Sequence, residues 1–165
     1  YCSAEPNSQY QVDTVKEELE KLGYTCEYYA FSDSNDLSSV VTTAASESDV
    51  IYVPTDNTAA SNAEIINNIC LPEKVPVIAG EEGICSGCGV ATLSISYYDL
   101  GTATGKMAVK ILKGEEDVAE CLWNTHRTSP KNITRKSAKS LGLKFRMTTK
   151  PSLLKNKPGG SPWIL

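Results

Sequence analysis

Two short apolar runs, each stopped by a residue that ends a strand, constrain this chain more than any other feature of its sequence. Asp49-Val50-Ile51-Tyr52-Val53 is halted by Pro54, and Val75-Pro76-Val77-Ile78-Ala79 by Gly80. Apolar runs of about four to eight residues without polar alternation belong to strands covered on both faces, as parallel sheets require. Residues 89–96 read as a further strand, and the aromatic-rich stretch 24–31, closed by Ser32, Asp33, Ser34 and Asn35, as another.

Between these runs the period changes from continuous to helical. Val12, Val15, Leu19 and Leu22 recur at spacings of three and four, which places them on one face of a helix over 8–22 that Gly23 ends. A second helix is expected over 36–45 with Asp36 or Asn35 as its cap, and a third from an Asn57 or Thr58 cap through residue 69. A last helix over 98–112 carries Leu100, Met107, Val109, Ile111 and Leu112 amid Gly101 and Gly105. Such alternation predicts an α/β fold, an open parallel sheet with helices on both faces. The order opens on a helix, so a first strand is expected to be reduced to Tyr1 and Cys2.

Charge divides the chain in two. Residues 1–120 hold all 20 acids and only six Lys or Arg, a net of −14, whereas 121–165 hold ten basic residues and no acid, a net of +10. We therefore expect a folded body over 1–116 and a separate basic tail over 117–165. No apolar run reaches the roughly 18 residues of a membrane helix, and the first residues lack the pattern of a signal peptide. Without an initiator Met, the chain reads as a fragment or a processed product.

Six cysteines are many for this length, but only Cys85-Ser-Gly-Cys88 has a motif spacing. A C-x-x-C can be a redox pair or half a zinc site. Zinc needs two further ligands, and the single histidine, His126, lies in the basic tail. The simpler expectation is that both cysteines are small residues in a glycine-rich turn.

Open α/β sheets bind ligands beyond the carboxyl ends of their strands, where loops feed helix N-termini. Three polar loops fall there: residues 3–8, 54–57 and 80–83. Asn7, Ser8, Thr55, Asp56, Asn57, Glu81 and Glu82 are the candidate ligand-binding residues. They offer carboxylates for an ammonium group, and hydroxyls, amides and backbone N–H groups for a carboxylate, an inventory that suits a zwitterion. Helix capping is the competing use of such residues, weighing most on Ser8 and Asn57. The body contains no histidine, no G-x-S-x-G elbow, no Walker-type phosphate loop and no G-x-G-x-x-G. Neither an enzyme nor a cofactor is expected.

Val53-Pro54-Thr55-Asp56-Asn57, Val75 to Gly83, Tyr97-Tyr98-Asp99-Leu100-Gly101 and Gly105 to Glu115 resemble, in order and spacing, the ABC-transporter substrate-binding family whose characterised members bind tryptophan or tyrosine. Residues 3–8 also resemble that family. The resemblance implies one Rossmann-like lobe of a two-lobed type I periplasmic binding protein, an extracytoplasmic lipoprotein that passes an amino acid to an ABC permease. It further implies that the candidate residues face the cleft, with Asp56 or a glutamate receiving the ammonium and the N–H groups after Thr55 and Asn7 receiving the carboxylate. An N-terminal lobe would precede Tyr1, and the helix over 97–115 would cross back to it. A ligand-sensing module of repressor-effector or receiver type shares such a sheet and is the alternative.

After Glu120 the resemblance stops. Back-translation of residues 121–133, read one base earlier, yields Met-Pro-Val-Glu-Tyr-Ala-Pro-Asn-Phe-Thr-Lys-Lys-Tyr, which is similar to the family's continuation. Trp123, Asn124, His126 and Lys131 constrain that reading most. The tail is thus expected to be frame-shifted and poorly ordered, rather than a basic arm for nucleic acid or an anionic membrane.

Overall fold

The computed structural model describes residues 1–119 and the backbone of Lys131–Ile133. Its centre is a sheet in the order β1-β2-β3-β4: β1 (Ile51–Val53), β2 (Val77–Ala79), β3 (Ala91–Leu93) and β4 (Lys131–Ile133). The first three run parallel, with Ile51 opposite Val77 and Ile78 opposite Ala91. This is the open parallel α/β sheet that the two apolar runs predict. β4 lies antiparallel to β3, where the basic segment was expected to hold no regular element. The other expectations for 121–165 fall outside the described residues.

α1 (Pro6–Lys21) starts on a proline, whose fixed φ suits a first helical turn and whose missing N–H costs nothing there. It ends as its sequence indicates. Gly23 adopts φ +89°, its N–H donates to the Glu20 carbonyl and the Tyr24 N–H to the Leu19 carbonyl, the paired bonds that close a helix through a left-handed glycine. α2 (Leu37–Glu47) follows, but the Asp36 carboxylate does not cap it; it turns back to accept from the N–H groups of Ser32 and Asp33.

Three expectations need correction. The strand over 24–31 is reduced to a single parallel bridge between Cys2 and Phe31, because Phe31 is the residue that stands opposite the short segment at Tyr1–Ser3. The helix from 57 to 69 is two: α3 (Asn57–Ser61) and α4 (Ala63–Cys70). Asn62 breaks it, since its side-chain amide donates to the Thr58 carbonyl and competes for the acceptor that a continuous helix would give its backbone. The glycine-rich turn around Cys85 and Cys88 is a helix, α5 (Glu82–Gly87), with Cys88 at its C-terminal cap.

Leu37, Ile66, Val77 and Ile84 form the buried centre of the core, and Cys70, Cys85 and Cys88 pack into the same cluster. Close packing of α5 requires Gly87, where a Cβ would lie 2.6 Å from that of Ala63 at the start of α4. Cys85 is 2% and Cys88 5% exposed, and burial pushes the Cys88 thiol up to about 12 and the Cys70 thiol up to about 11. A redox pair needs a reachable thiolate. Here the thiols are core side chains.

α6 (Tyr97–Leu112) differs from the rest. Ser96 caps it by accepting from the Asp99 N–H, yet none of its residues is buried, and Leu112 is 87% and Val109 49% exposed.

Burial of the thiols yields a direct test. At about pH 8, an alkylating agent is expected to leave Cys70, Cys85 and Cys88 unmodified in the folded protein and to label them after denaturation. Mass spectrometry of digests reads the result; labelling of Cys85 or Cys88 under native conditions would show that α5 opens readily.

Candidate functional site

The carboxyl ends of β1 and β2 feed two loops that are joined through backbone. The Gly80 N–H donates to the Val53 carbonyl at 2.7 Å, and the Thr55 hydroxyl to the Gly80 carbonyl at 3.4 Å. Such an approach excludes any side chain at Gly80, because a Cβ there would stand 2.7 Å from the Thr55 backbone nitrogen and 2.8 Å from the Pro54 carbonyl carbon. Glycine is needed here for space.

α1 brings the third loop to the same place. The Asn7 side-chain amide and the Ser8 hydroxyl donate to the Thr55 carbonyl at 2.9 and 3.1 Å, and the Gln11 side-chain carbonyl accepts from the Thr55 N–H at 3.0 Å. The peptide groups on both sides of Thr55 are therefore fixed by α1. Glu5 adds a second tie: one carboxylate oxygen accepts from the Asn57 N–H at 2.9 Å and its side-chain amide at 3.0 Å, and the other from the Thr58 N–H and hydroxyl, both at 3.0 Å. Partial desolvation pushes the Glu5 carboxyl up, but these hydrogen bonds outweigh it and hold it below the ordinary glutamate value.

The structure divides the seven candidates by burial and partners. Ser8 and Asp56 are buried, at 0% and 1% exposure. Asp56, rather than Asn57 or Thr58, caps α3: one oxygen accepts from the Ala59 N–H at 2.8 Å and the other from the Cys2 N–H at 2.7 Å. Glu81 caps α5, accepting from the N–H groups of Gly83 and Ile84. Asn7 and Asn57 are exposed, and Thr55 and Glu82 are half-buried at the same edge. The N–H after Asn7, that of Ser8, donates to the Glu5 carbonyl.

Glu5 and Gln11 were missed as candidates. Glu5 lies in the loop 3–8 and directly precedes Pro6, so its place at a helix start was readable. Gln11 sits inside α1, and nothing local marks it as reaching the loop after β1. Among the described residues no group of His, Cys, Asp and Glu side chains is arranged to hold a metal ion.

Comparison with known proteins agrees with this fold. The chain is 33% identical over 115 residues to a protein named Tyrosine-binding protein from Clostridioides difficile (strain R20291), an alignment covering 70% of this chain and 33% of the relative. The structure superposes on an ABC domain in complex with L-Trp from Streptococcus pneumoniae with a TM-score of 0.75 at 37% identity, covering 86% of this chain and 48% of that one. It also matches the ligand-free, open structure of a substrate binding protein with adhesive properties from Clostridium difficile, with a TM-score of 0.71 at 36% identity over 92% of this chain and 50% of that one. A conserved domain protein from Vibrio cholerae gives a TM-score of 0.76 at 26% identity, over 87% of this chain and 48% of that one. The chain thus spans about a third of the curated relative and about half of the solved chains. The family described as ABC transporter substrate binding protein, a family of binding proteins rather than enzymes, matches residues 1–155, beyond Glu120 where the resemblance was expected to stop, and this chain belongs to it.

Proposed function

We propose that this chain is one lobe of an extracytoplasmic, lipid-anchored substrate-binding protein that captures an amino acid-like solute, with an aromatic amino acid favoured, and delivers it to an ABC permease without catalysing a reaction on it. The observation that carries the reading is the convergence of three polar loops at the carboxyl edge of a parallel sheet. The chain's likeness to a tyrosine-binding protein and to an L-Trp complex favours the aromatic class. Loops tied together in this way present a pre-organised polar surface, which limits the entropy lost when a small ligand is held.

Within that surface we assign ligand contact to Asn7, Thr55, Asn57 and Glu82, with Glu82 as the partner of the ammonium group. Ser8, Asp56 and Glu81 hold the loops. Asp56 suits a loop-holding role better than an ammonium-binding one because it is buried and both of its oxygens accept backbone N–H groups. Exposed Leu100, Val109 and Leu112 on α6 suit a helix that packs against a further lobe.

Calorimetric titration of the full chain with L-tyrosine, L-tryptophan and L-alanine tests the reading; binding of the aromatic pair in preference to alanine is expected, and no binding of either aromatic amino acid would count against it. Glu82→Gln is expected to weaken binding by about tenfold, close to 1.4 kcal/mol. Unchanged affinity would remove Glu82 from the ammonium role. Asp56→Ala, by contrast, is expected to lower folding stability by about 2–3 kcal/mol, since it strands two backbone donors, the Ala59 N–H at the start of α3 and the buried Cys2 N–H. Chemical denaturation checks this, and a wild-type midpoint would show that Asp56 does not hold α3. Gly80→Ala is expected to lower stability by about 1–3 kcal/mol and to weaken binding as well, because the two loops it joins must separate.

A further inference from the structure

We infer that Glu5 is a positioning residue for the ligand-binding loop, its carboxylate serving as a latch that locks the start of α3 onto the start of α1. The inference rests on the proposed site, since it concerns the loop that carries Thr55 and Asn57.

The latch follows from the count of donors and acceptors. A carboxylate has two oxygens and about four lone-pair sites, and Glu5 uses them on four donors, two from Asn57 and two from Thr58. α3 is a five-residue helix. So short a helix has little stability of its own and takes its conformation from tertiary ties. Asp56 supplies one such tie from inside the loop, to the Ala59 N–H. Glu5 supplies one from outside the loop, 52 and 53 residues away in the chain and beside the one that Cys2 makes to Asp56, and it alone among the described residues binds the backbone N–H groups of both Asn57 and Thr58. Its own backbone is fixed in turn, because the Glu5 carbonyl accepts from the Ser8 and Gln9 N–H groups of α1. The Asn57 side chain, a proposed ligand contact, is thereby oriented by a residue that need not touch the ligand.

No other side chain meets these demands equally. Glutamine would turn one acceptor oxygen into an NH2 group facing donors, and aspartate would keep the charge but fall short by one methylene. The test compares Glu5→Ala, Glu5→Gln and Glu5→Asp in the full chain, with L-tyrosine and L-tryptophan as ligands, well below each variant's melting midpoint. Affinity is expected to fall by about tenfold or more in the Ala and Gln variants and by less in the Asp variant. Amide exchange at Asn57 and Thr58 is expected to speed up by about tenfold or more while β1 and β2 keep their protection. A merely stabilising role would lower the melting midpoint and leave the affinity of the folded protein unchanged, and that result would overturn the inference. If Glu5→Ala does not fold, Thr58→Val, which removes one donor to the latch, is expected to show the same changes in smaller measure; wild-type exchange at Asn57 in that variant would overturn it too. Wild-type protein that binds neither amino acid would defeat the proposed function instead, and unchanged exchange at Asn57 and Thr58 would then still decide against the latch.

Discussion

A buried carboxylate holds the carboxyl edge of this sheet together. Asp56 is 1% exposed, and a charge removed from water is tolerated only where hydrogen bonds replace its hydration. The replacements are the N–H groups of Cys2 and Ala59, which belong to the first segment of the chain and to the first turn of α3. One side chain therefore fixes both the bridge that places Tyr1–Ser3 beside Phe31 and the entry into α3. Since α1 begins three residues after Ser3, holding that segment also sets where Asn7, Ser8 and Gln11 meet the Thr55 peptide.

The acidic balance of residues 1–120 gains a local meaning from this arrangement. Three carboxylates at the sheet edge accept backbone N–H groups at the start of a short helix: Asp56 and Glu5 at α3, and Glu81 at α5. Negative charge is favoured at a helix N-terminus, where N–H groups lack intrahelical partners. Helices of five and six residues depend on such partners more than long ones do. The same N–H groups are then occupied by the protein's own carboxylates, which leaves fewer helix-start donors open at this edge.

α6 stands in contrast to that tightly tied edge. Its cap is satisfied and its length is ample, yet none of its residues is buried and Leu100, Val109 and Leu112 are exposed. The amphipathic pattern of residues 98–112 records the helix without recording what covers it.

Periodicity was enough to read the α/β class, the parallel strands at Ile51–Val53 and Val77–Ala79, and the end of α1 at Gly23, because each depends on contacts within a few residues or on the simple demand that a central strand be apolar. The three loops were also legible as a set, since topology places every β-to-α loop of a parallel sheet at one edge. What each loop residue does there was not legible. Asp56 and Asn57 look alike in a turn, yet one is buried as a cap and the other is exposed, a difference set by where Cys2 arrives in space. Glu5 and Gln11 reach partners 44 or more residues away, and no local pattern encodes such a distance. The sequence by itself determined the α/β class, the apolar strands and the edge; only the tertiary structure decided which partners Glu5, Ser8, Asp56 and Glu81 find at that edge, because hydrogen-bond partners are allotted by proximity in three dimensions.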